Sequence, residues 1–279
     1  MSTPVIEVLS PAKINLFLHI TGRRPDGYHT LQTVFQLLDW GDTMRFSPRA
    51  EPGVVLKHPM PGVAESNNLI LRAAALLLES YGGSESGAVI DIEKRLPMGG
   101  GLGGGSSNAA TTLIALNTLW NLGASVSELA EIGLRLGADV PVFVRGYSAW
   151  AEGLGEILTP LTLPPRWFVV AIPKAEVQTA EIFRHPGLTR NTKPITMSAL
   201  FAGQVRNDLE PVVVEHYSAV RNALNWLSNS APAMMTGSGA CVFAGFDSED
   251  TARTVALDAP QDLRTVVVRG INESPVLRI

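Results

Sequence analysis

The stretch 95–116, "RLPMGGGLGGGSSNAATTLIAL", crowds six glycines into the seven positions from Gly99 to Gly105 and constrains this chain more than any other feature. Ordering a glycine costs roughly 0.5–1 kcal/mol relative to alanine, a burden that a plain connection has no reason to carry. In return, glycine lets successive backbone N–H groups turn toward one point and lets a ligand come close. The segment leads out of a strand-like run, "AVIDIEKRLP", stopped by Pro97, and into small and apolar residues with helical character over 108–120.

Three designs compete for such a bend. A Walker A loop needs a lysine and a hydroxyl after its last glycine, and no lysine follows here. Gly99, Gly101 and Gly104 satisfy G-x-G-x-x-G, but a Rossmann unit requires a strand after the helix, with an acidic residue about 20 positions on. The helix here runs instead into a second one, "SVSELAEIGLRLG", with Ser125 and Glu128 spaced as a capping box. The third design is a phosphate cradle, in which glycine N–H groups and the positive end of the next helix face one anion. Ser106, Ser107 and Asn108 would then cap that helix or donate to phosphate or magnesium. A mobile linker is the plain alternative, and the glycine cost argues against it.

Elsewhere the pattern mixes strands and helices. "KINLFLHI" alternates, with Ile14, Leu16, Leu18 and Ile20 on one face and Asn15, Phe17 and His19 on the other. A Pro-Asp-Gly turn at Pro25 interrupts it, and "TLQTVFQLLDW", "GDTMRFSP" and "GVVLKHP" read as further short strands. "NNLILRAAALLLESYG" is a helix with Asn67 or Asn68 as its cap and Gly82 past its end. "VPVFVRG", "YSAWAEG", "GEILTPL" and "WFVVAIP" have strand character, a long helix is expected around 211–227, and "LRTVVVRG" closes the chain as a strand. The Pro164-Pro165 pair is the candidate boundary region, and the expected domains are 1–161 and 162–279.

Composition bounds the function class. Hydrophobic residues make up 46% and charged ones 17%, enough for a packed core. A net charge of −4 gives no reason to expect nucleic acid as a partner, and no apolar run approaches a membrane span. The single cysteine, Cys241, excludes an internal disulfide framework, and the five histidines show no metal-ligand spacing, so no protein-bound metal site is expected. No G-x-S-x-G elbow occurs and no signal peptide is visible, and a cytoplasmic protein is the expectation.

Three stretches together resemble the GHMP small-molecule kinases: "PAKINLFLHITGRRPDGYHTLQTVFQLLDWGD", "RLPMGGGLGGGSSNAA" and "LGADVPVFVRG". The similarity extends to "TGSGACVFAGF" near the end. The resemblance implies an α+β, two-domain GHMP kinase fold: an N-terminal ribosomal-S5-domain-2-like domain and a C-terminal ferredoxin-like α/β domain, with the active site in the cleft between them. It implies ATP with Mg2+ and a small-molecule alcohol as partners, in a monomer or weak homodimer. The "GRRPDGYHTLQT" and "GADVPVF" segments point to the branch of the family that phosphorylates the 2-hydroxyl of a cytidylylated methylerythritol in the non-mevalonate isoprenoid route. Mevalonate, homoserine and sugar kinases of the same family are the alternative.

Residue by residue, the resemblance implies Asp139 as the base and Lys13 as its neighbour stabilising negative charge. Without it, Asp139 reads as a helix-end or turn residue and Lys13 as a surface lysine. The ATP phosphates would lie along Pro97, Met98, Gly99, Gly100, Gly101 and Leu102, then Gly103, Gly104, Gly105, Ser106, Ser107 and Asn108. Asn68, Leu69 and Lys94 fall where the family holds adenine, although a helix cap explains Asn68 and a solvated strand end explains Lys94. Tyr28, His29 and Phe183 match the cytosine-binding set; without the resemblance Tyr28 and Phe183 are core or rim aromatics. Asn15 shares the strand face of Lys13 and would touch the substrate. Gly239, in the turn Gly237-Ser238-Gly239, either closes over the substrate phosphates or belongs to a simple hairpin.

Overall fold

The computed structural model describes residues 5–82, 86–203 and 205–279. The first half runs β1 (Ile6–Arg23), β2 (His29–Arg49), β3 (Gly53–Leu56), α1 (Leu69–Tyr81), β4 (Gly87–Glu93) and α2 (Gly104–Leu119). It continues through α3 (Val126–Leu134), α4 (Val140–Arg145), β5 (Ala149–Glu152) and β6 (Ile157–Pro160). The second half holds β7 (Trp167–Ile172), α5 (Thr179–Arg184), α6 (Met197–Phe201), α7 (Glu210–His216) and α8 (Ser218–Ser228). It ends with β8 (Ala233–Met235), β9 (Val242–Phe246), α9 (Glu249–Leu257) and β10 (Arg264–Ile271). The architecture is α+β.

Among the described residues ten strands form one connected sheet, and β2 is its hub. β2 pairs with β1 along almost its whole length, with β4 through Thr43–Arg49, and with β5 through Thr33–Phe35. At Leu37 and Leu38 it also meets Ile271 and Gly270 of β10, which joins the sheets of the two halves edge to edge. "TLQTVFQLLDW" and "GDTMRFSP", expected as separate short strands, are therefore one strand of 21 residues, while "GVVLKHP" supplies the separate β3. Helices α1–α4 cover one face, with Phe46, Ile90, Leu77, Leu113 and Phe143 buried between. The small residues Ala109, Ala110 and Ala115 of α2 allow it close packing on several sides.

The second half has its own core of Val169, Ala171, Val220, Leu227 and Phe246. The opposite face of β7 and β9, carrying Phe168, Val170 and Phe243, packs on Ala12, Ile14 and Leu102 of the first half. The other face of β1 is enclosed too, Phe17 packing with Val34, Trp150, Leu163 and Leu200, so Asn15, Phe17 and His19 are as buried as Ile14 and Ile20. An alternating sequence usually marks one wet face, but here a second layer covers it. No described helix is long and apolar enough to cross a membrane.

Three local expectations are corrected. "VPVFVRG" is helix α4: Pro141 fits the first helical turn and left-handed Gly146 ends it, so its apolar run is a buried helix. The long helix around 211–227 is two, broken at Tyr217, whose φ of −118° and ψ of 90° leave the helical region. The helix after the glycines begins at Gly104 and not at residue 108, with left-handed Gly103 as its cap. The cap of α1 by Asn68 and the box of Ser125 with Glu128 occur as expected.

Candidate active site

The glycine bend is pinned from behind. Leu102, its only side chain beyond glycine, is buried in the core between the halves. The carbonyls are drawn the same way: Gly99 O accepts from Ala240 N at 3.2 Å and Gly100 O from Cys241 N at 3.2 Å. Gly101 O takes the Lys13 ammonium at 3.1 Å and the Thr236 hydroxyl at 3.3 Å, and Leu102 O takes Lys13 N at 3.0 Å. With its negative ends engaged, the bend presents N–H groups to the other side. The first backbone bond within α2 runs from Ser107 N to Gly103 O at 2.8 Å, so the N–H groups of Gly104, Gly105 and Ser106 have no helical acceptor. They point the positive end of a 16-residue helix at the cavity.

Two of the glycines are steric necessities. A Cβ on Gly101, at φ +74°, would stand 2.1 Å from Thr236 O, and one on Gly103, at φ +71°, 2.8 Å from Phe143 Cζ. The turn at Gly237-Ser238-Gly239 folds against this bend, and Asn207 Nδ2 holds it through Met235 O and Gly237 O, both at 2.8 Å. Cys241 is sealed behind Gly100, and burial pushes its thiol up to about 12, which leaves it inert.

In front of the bend lies a cavity of ≈ 380 Å³. Met60, Val63, Leu69, Pro97 and Met98 give it an apolar end, and Thr179, Ser238 and Gly239 close it from the second half. Lys94 and Ser106 also line it. Lys94 is not a solvated strand end: it pairs with fully buried Asp42, which also accepts from Arg95 N at 2.8 Å, Leu96 N at 2.9 Å and Asn108 Nδ2 at 3.0 Å. Ser107 Oγ meets Ser10 Oγ at 2.8 Å, so Ser107 and Asn108 belong to an internal network that anchors α2. Asn68 is likewise buried, its Oδ1 capping Ile70 N at 2.9 Å.

Beside the bend stand Lys13, whose Cε is 3.2 Å from where a Gly103 Cβ would be, and its partner Asp139. Lys13 Nζ lies 3.3 Å from Asp139 Oδ2 and donates to Asn15 Oδ1 at 2.6 Å. Asn15 is held in turn by Thr33 Oγ1 and Thr236 Oγ1, both at 2.9 Å. Asp139 is the N-cap residue of α4, yet its side chain caps nothing, which leaves the carboxylate to Lys13 and to solvent.

Beyond Asp139 opens a second cavity of ≈ 730 Å³, whose wall includes Ala138, Tyr28, His29, Phe183 and Arg190. The rings of His29 and Phe183 are 5.3 Å apart and inclined by 34°. Tyr28 is 65% exposed, so it is neither a core aromatic nor packed against anything that would occupy its face. His29 is held below the ordinary imidazole pKa by burial first, then by the charges of Arg190 and Arg23. Pro97 to Ser106, Asn68, Leu69, Lys94 and Gly239 thus line the first cavity and Tyr28, His29 and Phe183 the second, while Lys13, Asn15 and Asp139 form a bonded set of their own. Sequence reasoning missed Asp42, Thr236, Asn207 and Arg190, although Asp42, the last residue of "WGD", and Thr236, the first of "TGSGACVFAGF", fell inside stretches already singled out.

The pattern described as GHMP kinases N terminal domain matches residues 68–147, and that described as GHMP kinases C terminal matches 190–264. Among solved structures, a 4-(cytidine 5'-diphospho)-2C-methyl-D-erythritol kinase is 34% identical, with a TM-score of 0.83 over 96% of this chain and 100% of that one. The mevalonate kinase of Methanococcus jannaschii has a TM-score of 0.72 at 17% identity, over 97% of this chain and 99% of that one. A homoserine kinase from Cytophaga hutchinsonii has a TM-score of 0.65 at 18% identity, over 99% and 98%. The last two likenesses concern the fold alone.

Proposed function

The chain belongs to the GHMP kinases, and on that premise we infer that it transfers the γ-phosphoryl group of ATP to the 2-hydroxyl of 4-diphosphocytidyl-2-C-methyl-D-erythritol. The observation that supports the reading most is the ion pair of Lys13 with Asp139, with Lys13 bonded to the glycine bend at Gly101 O and Asp139 following Ala138 of the aromatic cavity. Adenine takes the apolar end by Leu69 and Met98, and the phosphates run along the free N–H groups from the bend to Ser106. The cytidine diphosphate end occupies the second cavity, its base between Tyr28 and Phe183.

The acceptor hydroxyl then lies at Asp139, which takes its proton as the oxygen bonds to the γ-phosphorus and ADP leaves. Lys13, held by Asn15 and Gly101 O, balances charge on the transferring group. Magnesium favours hard oxygen ligands. The Ser106 hydroxyl, which lines the cavity, fits that demand beside phosphate oxygens. Bound there, the ion would neutralise phosphate charge.

In this reading the boundary falls at 161/162, and the second half contributes Phe183 and the turn at Gly239. One chain holds the whole site, so a monomer or weak homodimer suffices, working in the cytoplasm on soluble charged substrates. The same fold serves mevalonate and homoserine kinases, but the Tyr28–His29–Phe183 cavity favours a substrate with a planar base. An ADP-release assay across cytidylylated methylerythritol, mevalonate, homoserine and galactose decides between them. Turnover confined to the first is expected; turnover confined to any other would overturn the reading.

A further inference from the structure

The cytidine-side cavity is lined by Arg23, Asp26, Arg184 and Arg190, and of these Arg190 bonds to His29. Arg190, half-buried after α5, donates from Nε to His29 Nε2 at 3.1 Å. Its Nη1 donates to Leu188 O at 3.0 Å, and Nη2 to Phe183 O at 3.0 Å and His185 O at 2.7 Å. A guanidinium keeps its protons throughout the range in which proteins fold, so it only donates. His29 Nε2 must therefore offer a lone pair. A neutral imidazole with its lone pair at Nε2 carries its proton at Nδ1.

We propose that Arg190 is a positioning residue that sets base specificity, by holding His29 as the Nδ1–H tautomer and tying down the carbonyls beside Phe183. The inference rests on the cytidine reading of this cavity. A pyrimidine whose ring N3 is an acceptor, as in cytosine, can take the Nδ1–H bond. One whose N3 carries hydrogen, as in uracil, meets it donor against donor, and both groups lose their water without gaining a partner. The tautomer is set by Arg190, because the always-protonated partner fixes which nitrogen is bare. The bonds to Phe183 O and His185 O also occupy carbonyls at the C-terminal end of α5, where helical partners run out, and so hold the Phe183 ring against His29.

The test reads the His29 ring by 15N NMR in the full chain and measures CDP and UDP binding by calorimetry, for the wild type, Arg190→Met and Arg190→Lys. The wild-type ring is expected to be protonated at Nδ1, with CDP preferred over UDP by about tenfold or more. In Arg190→Met the tautomers mix and the preference falls to within about twofold, while ATP affinity stays at the wild-type value. Arg190→Lys, which keeps the charge and one donor, recovers part of the preference. A wild-type ring protonated at Nε2, or a CDP preference that survives Arg190→Met, would overturn the proposal. CDP preference intact in a protein that never phosphorylates the cytidylylated alcohol would overturn the functional reading and leave Arg190 in its role.

Discussion

The ammonium of Lys13 lies 3.3 Å from the carboxylate of Asp139, the lysine buried and the aspartate about one-third open. Asp139 stands at a helix start without capping it, and its carboxylate faces Lys13 and solvent. Asp139→Asn is therefore expected to lower kcat by about 10²–10⁴ with the fold intact. Steady-state kinetics beside circular dichroism check this, and a near-normal kcat would remove Asp139 from the chemistry.

The glycines of the bend are not equivalent. Gly101→Ala and Gly103→Ala force a Cβ into Thr236 O or Phe143 at positive φ and are expected to cost more than about 2 kcal/mol of stability. Gly104 has ordinary helical backbone, and its Cβ would come no nearer than 3.3 Å, to Leu96 side-chain atoms. Gly104→Ala should stay within about 1 kcal/mol of the wild type. Denaturant midpoints on the three variants give the ranking; equal losses would contradict the packing described.

Tyr28 is exposed, so Tyr28→Ala should shift stability by less than about 0.5 kcal/mol. Loss of a stacked base should nonetheless weaken the cytidylylated substrate by about 1–3 kcal/mol. KM for ATP should not move. Equal changes in both KM values would rule out stacking.

His19 is buried in β1, and neither ring nitrogen has a partner among the described residues. Burial lowers its pKa from 6.5, outweighing the charge of Asp208. The unfolded chain thus binds the proton more readily, so stability falls as pH drops below 6.5 and goes on falling until the folded value is passed. His19→Met removes this acid-side loss and the unpaired polar group, and should gain about 1 kcal/mol at neutral pH. Thermal melts from pH 7.5 to 5.0 check both; a variant as acid-sensitive as the wild type would exclude His19 as the source.

Much of this was legible in the linear chain because it rests on local rules. The bend's glycines, the Asn68 cap and the Ser125–Glu128 box are recognisable within a few residues of sequence. Motif resemblance supplied Lys13, Asp139, Tyr28, His29 and Phe183, which no periodicity marks. What stayed hidden depends on distant partners. Helix α4 looks like a strand because a short helix buried all round has no polar stripe to reveal its period. Ser107 and Asn108 look ready for a ligand until Ser10 and Asp42 are seen to occupy them. Arg190 has no motif in the sequence reading, and only its bond to His29 gives it meaning.

The most direct measurement is a crystal structure with a non-hydrolysable ATP analogue and the cytidylylated alcohol bound together. The terminal phosphate should sit at the N-terminus of α2, beside Lys13, with the acceptor hydroxyl against Asp139 and the pyrimidine between Tyr28 and Phe183. An adenine nucleotide lodged in the Tyr28 cavity, or a triphosphate remote from the glycines and from Lys13, would contradict the account.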